Sequence, residues 1–547
     1  MRLATAMGSP TSTLQRAGGG LCAFGSTPRV GIRGCSGRAL ASSHGLGATA
    51  AGTGGATWRT ALRGAWRDPA SWIRHRTRTL ATDTDTLASP SAVDADSPPG
   101  TAAPSTWKAP LDFRFIRDNV ELVAANCANR NSAADPHRVA ELFGEFLEGT
   151  QEVNALQQER NAHAKRLKGK MEADARAALV DEGKRLKQAL ASCEARLEAV
   201  EVALQAEGRR IPNLTHPDVP LGGEEDSTVL RVNGTPRAFP DGFDVKDHVA
   251  LGESLGCLDF EAAAVVSGSK FYYLKKEAAL LELALINWSM QRAAAKGYEP
   301  TSTPDLVRGE VLEKCGFQPR GDSSQNYGVS GSDLFLTGTA EIPLGGAVMD
   351  TIFKASDLPI KMAGYGRCFR TEAGAAGSKG RGLYRVHQFS KVEMFVVCHP
   401  DESEAIHAEL LEIECAMFEE LGLHFKVLDM ASHDLGAPAY RKFDVEAWMP
   451  GISRYGEISS ASNCTDFQAR RLNIRYRPEQ GVEGEAKGKK KKAKTEFAHT
   501  LNATACAVPR MIVAIFENFQ EADGSVRIPE VLWPFMGGVQ VIKPVQP

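Results

Sequence analysis

Two strand-like stretches joined by a glycine-rich segment constrain the fold of this chain more than any other feature. The first stretch reads GRCFRTE (residues 366–372) and the second reads VHQFSKVEMF (residues 386–395). Because side chains alternate between the two faces of a strand, Arg370 and Glu372 are expected to share one face. The same rule groups three side chains of the second stretch: Phe389, Lys391 and Glu393. The sequence therefore predicts an antiparallel strand pair that carries charged and aromatic side chains on one surface.

The segment between these stretches carries three basic residues, Lys379, Arg381 and Arg385. It is longer than an ordinary hairpin loop of roughly 2 to 5 residues, which favours a functional loop over a tight turn. A fixed guanidinium, two carboxylates and an aromatic ring on one surface can bind a phosphate, an ammonium group and a purine. The alternative is a hairpin whose charged face is simply solvated.

Three motifs carry a resemblance to a known family. FRTEAG followed by VHQFSKVEMF resembles motif 2 of the class II aminoacyl-tRNA synthetases, and specifically of the seryl-tRNA synthetases. GYEPTSTPDLV (residues 297–307) resembles motif 1, and HTLNATACAVPRMIVAIFENFQ (residues 499–520) resembles motif 3. The resemblance extends from Leu111 to the C-terminus. It implies an α+β fold, with a class II antiparallel sheet flanked by helices and an N-terminal antiparallel α-helical coiled-coil arm.

Residues 1–80 differ in composition from the rest of the chain. The first 100 residues contain eleven Arg, no Lys and five Asp or Glu, whereas the remainder carries 53 basic and 62 acidic residues. A segment rich in Arg, Ala, Ser and Thr buries too little to fold and is typical of an organellar transit peptide, for the mitochondrion, the chloroplast or both. A merely disordered tail is the alternative. Residues 81–110 are interpreted as a linker.

Composition also bears on partners. No uninterrupted apolar run approaches the ~20 residues of a membrane span, so no membrane partner is expected. The 11 cysteines include no CxxC pair, which indicates neither a disulfide framework nor a zinc ribbon. The net charge of −3 does not indicate a nucleic-acid partner, so any RNA contact must come from local basic patches.

Residues 111–221 are predicted to form a helical arm. An apolar seam starting at Val139 steps by three and four, with Gly149, Arg160 and His163 as imperfect members. A second seam has regular heptad spacing: Leu186, Leu190, Cys193, Leu197, Val200 and Leu204. A break at residues 169–172 separates them and predicts an antiparallel hairpin, each helix extending roughly 45 Å.

Such an arm has two possible uses. A coiled coil by itself most often serves dimerisation, whereas in the resembled family the arm binds the long variable arm of serine tRNA. The candidate RNA contacts lie near the tip and would recognise duplex shape and phosphates rather than bases. They are Lys165, Arg166, Lys168, Lys170, Lys184, Arg185 and Lys187. A solvated helix surface is the alternative for each of them.

Residues 222–547 are predicted to form the catalytic domain, with a lysine-rich insertion at residues 478–496. The resemblance implies catalytic roles for Arg370, Glu372 and Arg510. It implies ATP binding by Arg370, Thr371, Glu372, Val386, Phe389, Glu457, Ile458, Ser459, Ser460 and Arg510. Mg²⁺ would be held by Glu457 and Ser460, whose oxygens suit a hard cation. Serine would be bound by Thr339, Ala340, Glu341, Arg370, Glu393, Asn502 and Thr504.

The reaction that this resemblance implies has two steps. The carboxylate of L-serine attacks the α-phosphate of ATP to give seryl-adenylate and pyrophosphate. The acyl group then passes to the 3′ end of tRNA(Ser) with release of AMP, and tRNA(Sec) is a further candidate acceptor. A homodimer is also implied, because motif 1 usually forms the dimer interface. Two other classes remain open: a paralogue that acts only through its coiled coil, and an amino-acid:carrier-protein ligase, which typically lacks the arm.

Overall fold

The computed structural model describes residues 107–169, 171–317, 325–372, 382–479 and 494–545. In this part of the chain the helices are α1 (Phe113–Asp118), α2 (Val120–Asn129), α3 (Pro136–Arg166), α4 (Ala173–Arg210), α5 (His248–Ser254), α6 (Phe260–Ser267), α7 (Lys276–Ala295), α8 (Gly309–Lys314), α9 (Glu341–Ala347), α10 (Ser403–Glu420), α11 (Phe467–Leu472) and α12 (Val508–Asn518).

The strands are β1 (Thr228–Asn233), β2 (Leu258–Asp259), β3 (Tyr273–Leu274), β4 (Glu299–Ser302), β5 (Leu306–Arg308), β6 (Leu334–Leu336), β7 (Ile352–Lys354), β8 (Ile360–Phe369), β9 (Gln388–Cys398), β10 (Phe425–Asp429), β11 (Arg441–Met449), β12 (Arg454–Asn463), β13 (Arg475–Arg477), β14 (Glu496–Phe497), β15 (His499–Ala507), β16 (Val526–Arg527) and β17 (Val541–Ile542).

The centre of the fold is an eight-stranded sheet in the order β1-β10-β11-β12-β15-β9-β8-β4. Every neighbouring pair is antiparallel except β4 and β8, which are parallel at one edge. Helices α7, α10 and α12 pack on this sheet and form the largest apolar core with its strands. The predicted fold class is therefore confirmed, with one correction: a strand from motif 1 joins the antiparallel sheet in the parallel sense.

The two motif 2 stretches form the pair β8–β9, whose register runs from Ile360 opposite Val397 to Phe369 opposite Gln388. One detail of the prediction is wrong. Strand β8 ends at Phe369, so Arg370 and Glu372 lie beyond it, and Glu372 has a φ of +48°. This left-handed conformation is rare for a residue with a Cβ, and the alternation of a strand does not apply to it.

The helical arm is formed by α3 and α4, which pack against each other along their length. At 1.5 Å per residue they span about 46 and 57 Å. Two imperfect members of the seam, Gly149 and His163, are accommodated by complementary size. A Cβ on Gly183 would meet His163 at 3.0 Å, and a Cβ on Gly149 would meet Leu197 at 3.2 Å. A small residue on one helix thus faces a large one on the other, which keeps the interior filled.

Buried polar residues join the base of the arm to the sheet. Arg130 is buried and donates to the carbonyl oxygens of Gly436 at 2.6 Å and Ala439 at 2.8 Å. Its pKa is lowered to about 10 by burial. Asn213 donates to the carbonyl oxygens of Pro438 and Cys464, both at 2.9 Å. These contacts fix the root of the arm, because a buried donor deprived of its acceptor would be strongly unfavourable.

Two predicted boundaries need adjustment. Ala109 is buried and exchanges hydrogen bonds with Gln205 of α4, so the ordered fold starts before Leu111 and the predicted linker ends earlier. The lysine-rich insertion also ends earlier than predicted, because Glu496 already belongs to β14. Residues 1–106, which include the predicted transit peptide, and residues 480–493 of the insertion lie outside the described residues. Within the described part, no helix is long and apolar enough to cross a membrane.

Candidate active site

A cleft opens at one face of the central sheet, where β9, β12, β15 and the start of α12 meet. Ten residues proposed from the sequence line it: Arg370, Glu372, Val386, Phe389, Glu457, Ile458, Ser459, Ser460, Thr504 and Arg510. These residues come from segments up to 140 positions apart in the sequence, and the fold brings the segments together. The cleft is the candidate active site.

A β-bulge decides which side chains of β12 face the cleft. The register of β11 and β12 shifts between Val445, opposite Ser459, and Glu446, opposite Glu457, leaving Ile458 as the extra residue. An extra residue re-aims the side chains that flank it. Glu457 and Ser460 therefore share the partly exposed face, although their spacing of three would separate them on a regular strand. Ile458 is fully buried instead.

Arg510 lies in the first turn of α12 and holds Glu457 from two directions. Its guanidinium donates to the carbonyl oxygen of Glu457 at 3.0 Å and pairs with the carboxylate at 3.0 Å. Enclosure by the cleft would raise the pKa of Glu457, but Arg510, Lys442 and Arg370 outweigh this effect and lower the pKa. Glu457 is therefore a fixed negative charge, 41% exposed, at the rim of the cleft.

Arg370 also lines the cleft. Its Nε donates to the carbonyl oxygen of Gly338 at 3.3 Å, and its guanidinium carbon lies 5.3 Å from the ring centre of Phe389. The nearby Glu372 carboxylate pairs with Arg385 at 3.2 Å. Although β8 has already ended, the left-handed turn at Glu372 still directs this carboxylate into the cleft. The backbone N–H of Thr371 donates to Gln325 at 3.1 Å, which fixes the turn.

A second group of predicted residues is buried beside the cleft. Thr339 and Ala340 precede α9, and the Thr339 hydroxyl accepts from the backbone N–H of Glu341 at 3.3 Å. The Glu341 carboxylate accepts from Asn502 at 2.9 Å and from Gln468 at 2.6 Å. Burial, with a smaller contribution from Glu393, raises the pKa of Glu341 to about 7. This carboxyl group is consequently poised to change charge near neutral pH.

Three side chains connect this group to the cleft. Lys391 pairs with Glu393 at 2.5 Å, as expected for residues two apart on one face of β9. The Thr504 hydroxyl lies 3.4 Å from the same carboxylate, because β15 pairs Thr504 directly with Glu393. All three are buried, so a small polar ligand that enters must exchange hydrogen bonds with them.

Several residues predicted to bind ATP or serine have buried side chains, which leaves their backbone groups for contact with a ligand. Ser459 is buried and donates its hydroxyl to the carbonyl oxygen of Thr504 at 2.5 Å, so this side chain supports the sheet. The side chains of Ile458, Val386 and Ala340 are buried as well. Lys379 and Arg381 lie outside the described residues.

The predicted tRNA contacts are far from the cleft in sequence and lie at the tip of the arm. Lys165, Arg166, Lys168, Lys184, Arg185 and Lys187 are all exposed there, whereas Lys170 lies outside the described residues. Lys184 pairs with Asp181 at 3.0 Å and Arg166 approaches Glu182 at 4.0 Å. The tip thus presents basic side chains to solvent.

The structure adds residues that the sequence did not indicate. The Tyr384 ring lies between the guanidinium carbons of Arg454 and Arg510, at 5.1 and 4.7 Å. Gln468 is fully buried, and its position is set by Cys315, Glu341 and Thr500. Lys391 could have been selected, because it alternates with Phe389 and Glu393. Tyr384 and Gln468 could not, because only long-range packing brings them to the site.

Comparisons with known proteins agree with this arrangement. A family description "tRNA synthetase class II core domain (G, H, P, S and T)" matches residues 328–519. A second, "Seryl-tRNA synthetase N-terminal domain", matches residues 111–215. The two matches correspond to the sheet region with its cleft and to the arm with its base.

Similar proteins cover most of the chain. A serine–tRNA ligase of Treponema denticola is 47% identical over 431 residues, 78% of this chain and 99% of the relative. A serine–tRNA ligase of Rubrobacter xylanophilus is 46% identical over 436 residues, 80% of this chain and 100% of the relative.

Solved structures give the same result. The seryl-tRNA synthetase of Pyrococcus horikoshii complexed with ATP has a TM-score of 0.72 and 37% identity, covering 80% of this chain and 100% of its own. The cytoplasmic serine–tRNA ligase of Naegleria fowleri in complex with AMP has a TM-score of 0.68 and 31% identity, covering 80% and 99%.

Proposed function

The chain belongs to the seryl-tRNA synthetases, which are class II aminoacyl-tRNA ligases, and on that premise we propose that it activates L-serine with ATP and transfers it to tRNA(Ser). One observation carries the proposal. One cleft holds two arginines and an ionised carboxylate, and Thr504 in its lining contacts Glu393 of a buried polar cluster that also includes Glu341. The first set suits a nucleotide and the second suits a small amino acid.

The activation step needs no covalent intermediate on the protein, because the serine carboxylate itself attacks the α-phosphate of ATP. Negative charge then increases on the phosphate oxygens. Arg370 and Arg510 would oppose this charge, and both are already fixed by carbonyl oxygens before ATP binds. Preorganised cations lower the barrier because they need not reorient during the reaction. Phe389 and the Tyr384–Arg510 pair would contact the adenine.

The residues predicted to hold Mg²⁺ fit that ion. The bulge at Ile458 brings the Glu457 carboxylate and the Ser460 hydroxyl to the same partly exposed face, and Glu457 is ionised. Mg²⁺ accepts one or two protein oxygens when phosphates and waters complete its shell. The ion would neutralise charge on the ATP phosphates.

Selection of serine follows from the buried pocket. Glu341 would pair with the serine ammonium group, and Glu393 with Thr504 would bind its hydroxyl. Alanine would leave these buried groups unpaired, and such a loss rejects an analogue far more strongly than a missing methyl group does.

Transfer to tRNA would use the arm. The exposed basic residues at its tip suit phosphate contacts to a duplex, and the docked base would direct them relative to the cleft. We further propose a homodimer. Exposed apolar side chains on α6 and α7, including Val265 at 87% and Leu283 at 56%, support this assembly. The strand β4 at the edge of the central sheet belongs to motif 1, which usually forms the dimer interface in this family.

The composition of residues 1–80 supports import into the mitochondrion, the chloroplast or both, where the enzyme would serve organellar translation and could also charge tRNA(Sec). A fluorescent fusion to residues 1–80 is expected to enter an organelle. Diffuse fluorescence in the cytosol would refute the targeting proposal.

Pyrophosphate exchange tests the function itself. The protein starting at Thr106 is expected to catalyse ATP–pyrophosphate exchange with serine, and much more slowly with threonine or alanine. A dimeric, folded protein that shows no exchange with any of the three would favour a binding protein that keeps the fold without the chemistry.

A further inference from the structure

A buried histidine–carboxylate pair lies under the segment that enters β9. His248, the first residue of α5, is 2% exposed, and Glu517, near the end of α12, is 0% exposed. The His248 Nδ1 lies 2.9 Å from the Glu517 carboxylate, which also accepts the backbone N–H of His248 at 3.1 Å. The other Glu517 oxygen accepts the backbone N–H of Gly451 at 3.0 Å. Three separate segments therefore meet at one carboxylate.

The second ring nitrogen of His248 contacts the candidate active site. Its Nε2 accepts the backbone N–H of Leu383 at 3.2 Å. A neutral imidazole has one donor and one acceptor nitrogen, and a carboxylate at Nδ1 selects the tautomer in which Nε2 accepts. Glu517 thus prepares His248 to hold Leu383, as a carboxylate orients a ligating histidine in many metal sites.

The residue before Leu383 shows how closely the ring and the segment approach. Gly382 has a φ of +65°, and a Cβ built on it would lie 2.2 Å from His248 Nε2. No side chain can occupy that space, and the backbone conformation itself favours glycine. The close approach therefore requires both the ring of His248 and the absence of a side chain at Gly382.

The segment held in this way, residues 382–387, forms one wall of the cleft. Leu383 is fully buried, so its position fixes the next residues. Tyr384 lies between the two guanidinium groups of Arg454 and Arg510, and its carbonyl oxygen accepts from Arg510 at 3.3 Å. Arg385 pairs with Glu372. Moving Leu383 would shift the groups around the proposed nucleotide site.

We propose that His248 and Glu517 are positioning residues for ATP binding, acting through the backbone of Leu383 on the Tyr384 wall. This inference rests on the proposed function only for the identity of the nucleotide. The contact itself exists without any ligand, and it can be measured separately.

Two substitutions of similar chemistry separate the two contacts of the ring. In His248→Gln, the longer amide can accept from Leu383 but loses the Nδ1 position. In His248→Asn, the shorter amide can donate to Glu517 but does not reach Leu383. We expect His248→Asn to raise the KM for ATP about 10-fold or more in pyrophosphate exchange, the effect of losing a buried hydrogen bond. His248→Gln is expected to stay within about 3-fold of the wild type.

A control variant shows the effect of losing a buried histidine that does not contact the cleft wall. His407 is 3% exposed, donates from Nε2 to the carbonyl oxygen of Ala461 at 3.0 Å and stacks on Phe443. His407→Asn is expected to lower thermal stability without raising the KM for ATP. The KM for serine is expected to change less than about 2-fold in all three variants, because the serine pocket is built on other segments.

Hydrogen exchange tests the contact without a ligand. In full-length protein, the Leu383 amide is expected to exchange about 10-fold faster in His248→Asn than in the wild type or in His248→Gln. Gly382→Ala, which forces a Cβ against the ring, is expected to raise both this exchange rate and the KM for ATP while leaving His248 in place.

The outcomes separate this inference from the proposed function. A wild-type protein without serine-dependent exchange would refute the function and leave the amide measurement as the test of the contact. Faster amide exchange in His248→Asn with an unchanged KM for ATP would overturn the positioning role. Equal behaviour of His248→Asn and His248→Gln in both measurements would overturn it as well.

Discussion

The cleft and the tip of the arm both depend on charged residues, but they hold those residues in opposite ways. In the cleft, charged groups pair with one another, as Arg510 does with Glu457 and Lys391 with Glu393, and the charge of Arg510 lowers the pKa of Glu457 despite burial. At the tip, the basic side chains are exposed and make at most single ion pairs, such as Lys184 with Asp181.

This difference indicates how each region works. A buried, mutually paired group cannot be removed without leaving its partner uncompensated, so single substitutions in the cleft have large effects. Exposed charges act on a polyanion as a sum, and each one contributes little by itself. The predictions below test this contrast, from the largest expected effect to the smallest.

The largest effect is expected from Arg370→Ala. Removing a cation that faces the reacting phosphate should lower serine-dependent pyrophosphate exchange by about 1,000-fold or more, with fold and dimer intact. Arg292→Ala is the control, since Arg292 pairs with Glu420 at the surface of α7. A wild-type rate of pyrophosphate exchange in Arg370→Ala would refute the role assigned to Arg370. It would also contradict the expectation that substitutions in the cleft have larger effects than substitutions at the tip of the arm.

The next effect concerns the arm. Replacing residues 160–195 by a short glycine turn removes the tip, while the buried contacts of Arg130 at the base remain. Charging of tRNA(Ser) is expected to fall about 100-fold, and pyrophosphate exchange to stay within about 2-fold. Single substitutions such as Lys187→Ala are expected to cost only about 2-fold in tRNA affinity, similar to Arg138→Ala near the base.

Unchanged charging by the shortened protein would refute the tRNA-binding role of the arm. A single tip residue whose loss removed most of the charging would contradict the additive behaviour proposed for exposed charges.

A smaller effect is expected from Glu341→Gln, about 30-fold in kcat/KM for serine. The pKa of Glu341 is about 7. Below that pH the carboxyl is protonated and loses its attraction for the serine ammonium group, so kcat/KM for serine should fall as the pH drops from 8 to 6. The Gln variant should lack this decline. The same pH dependence in both proteins would assign it to another group.

The smallest effect concerns Glu414, a buried carboxyl that does not itself line the cleft but lies close to Ser459 and Thr504. Glu414 on α10 is fully buried under β12, close to the Ser459 hydroxyl and the Thr504 backbone, but neither of its oxygens makes a hydrogen bond of good geometry with the described residues. Burial raises its pKa well above the usual value. As the pH rises above the pKa of the unfolded chain, ionisation favours unfolding, so the unfavourable effect of Glu414 grows with pH.

Glu414→Met is therefore expected to stabilise the protein by about 1–2 kcal/mol at pH 8 and by less at pH 5, as measured by urea unfolding. Glu412→Met is the control, because Glu412 is exposed on the same helix and pairs with Arg231 at 3.1 Å. Destabilisation by Glu414→Met at both pH values would show that this carboxyl has a structural role.

Much of the fold was readable from local pattern. The heptad spacing around Leu190 and Leu204 predicted α4 and its partner, and the break at residues 169–172 lies between the observed helix ends at Arg166 and Ala173. The alternation of Phe389, Lys391 and Glu393 predicted the face of β9. These features depend on neighbours three, four or two positions away, and repetition makes such local spacing visible in a sequence.

Other features required the folded chain. The bulge at Ile458 decides that Glu457 and Ser460 face the same side, and the left-handed turn at Glu372 replaces the expected strand. The contact of His248 with Leu383 joins residues 135 positions apart. The sequence by itself determined which residues could do the chemistry and where the two long helices of the arm lie. Only the tertiary structure decided which of those residues meet, because bulges, positive φ angles and buried contacts result from packing between distant segments, which no local spacing encodes.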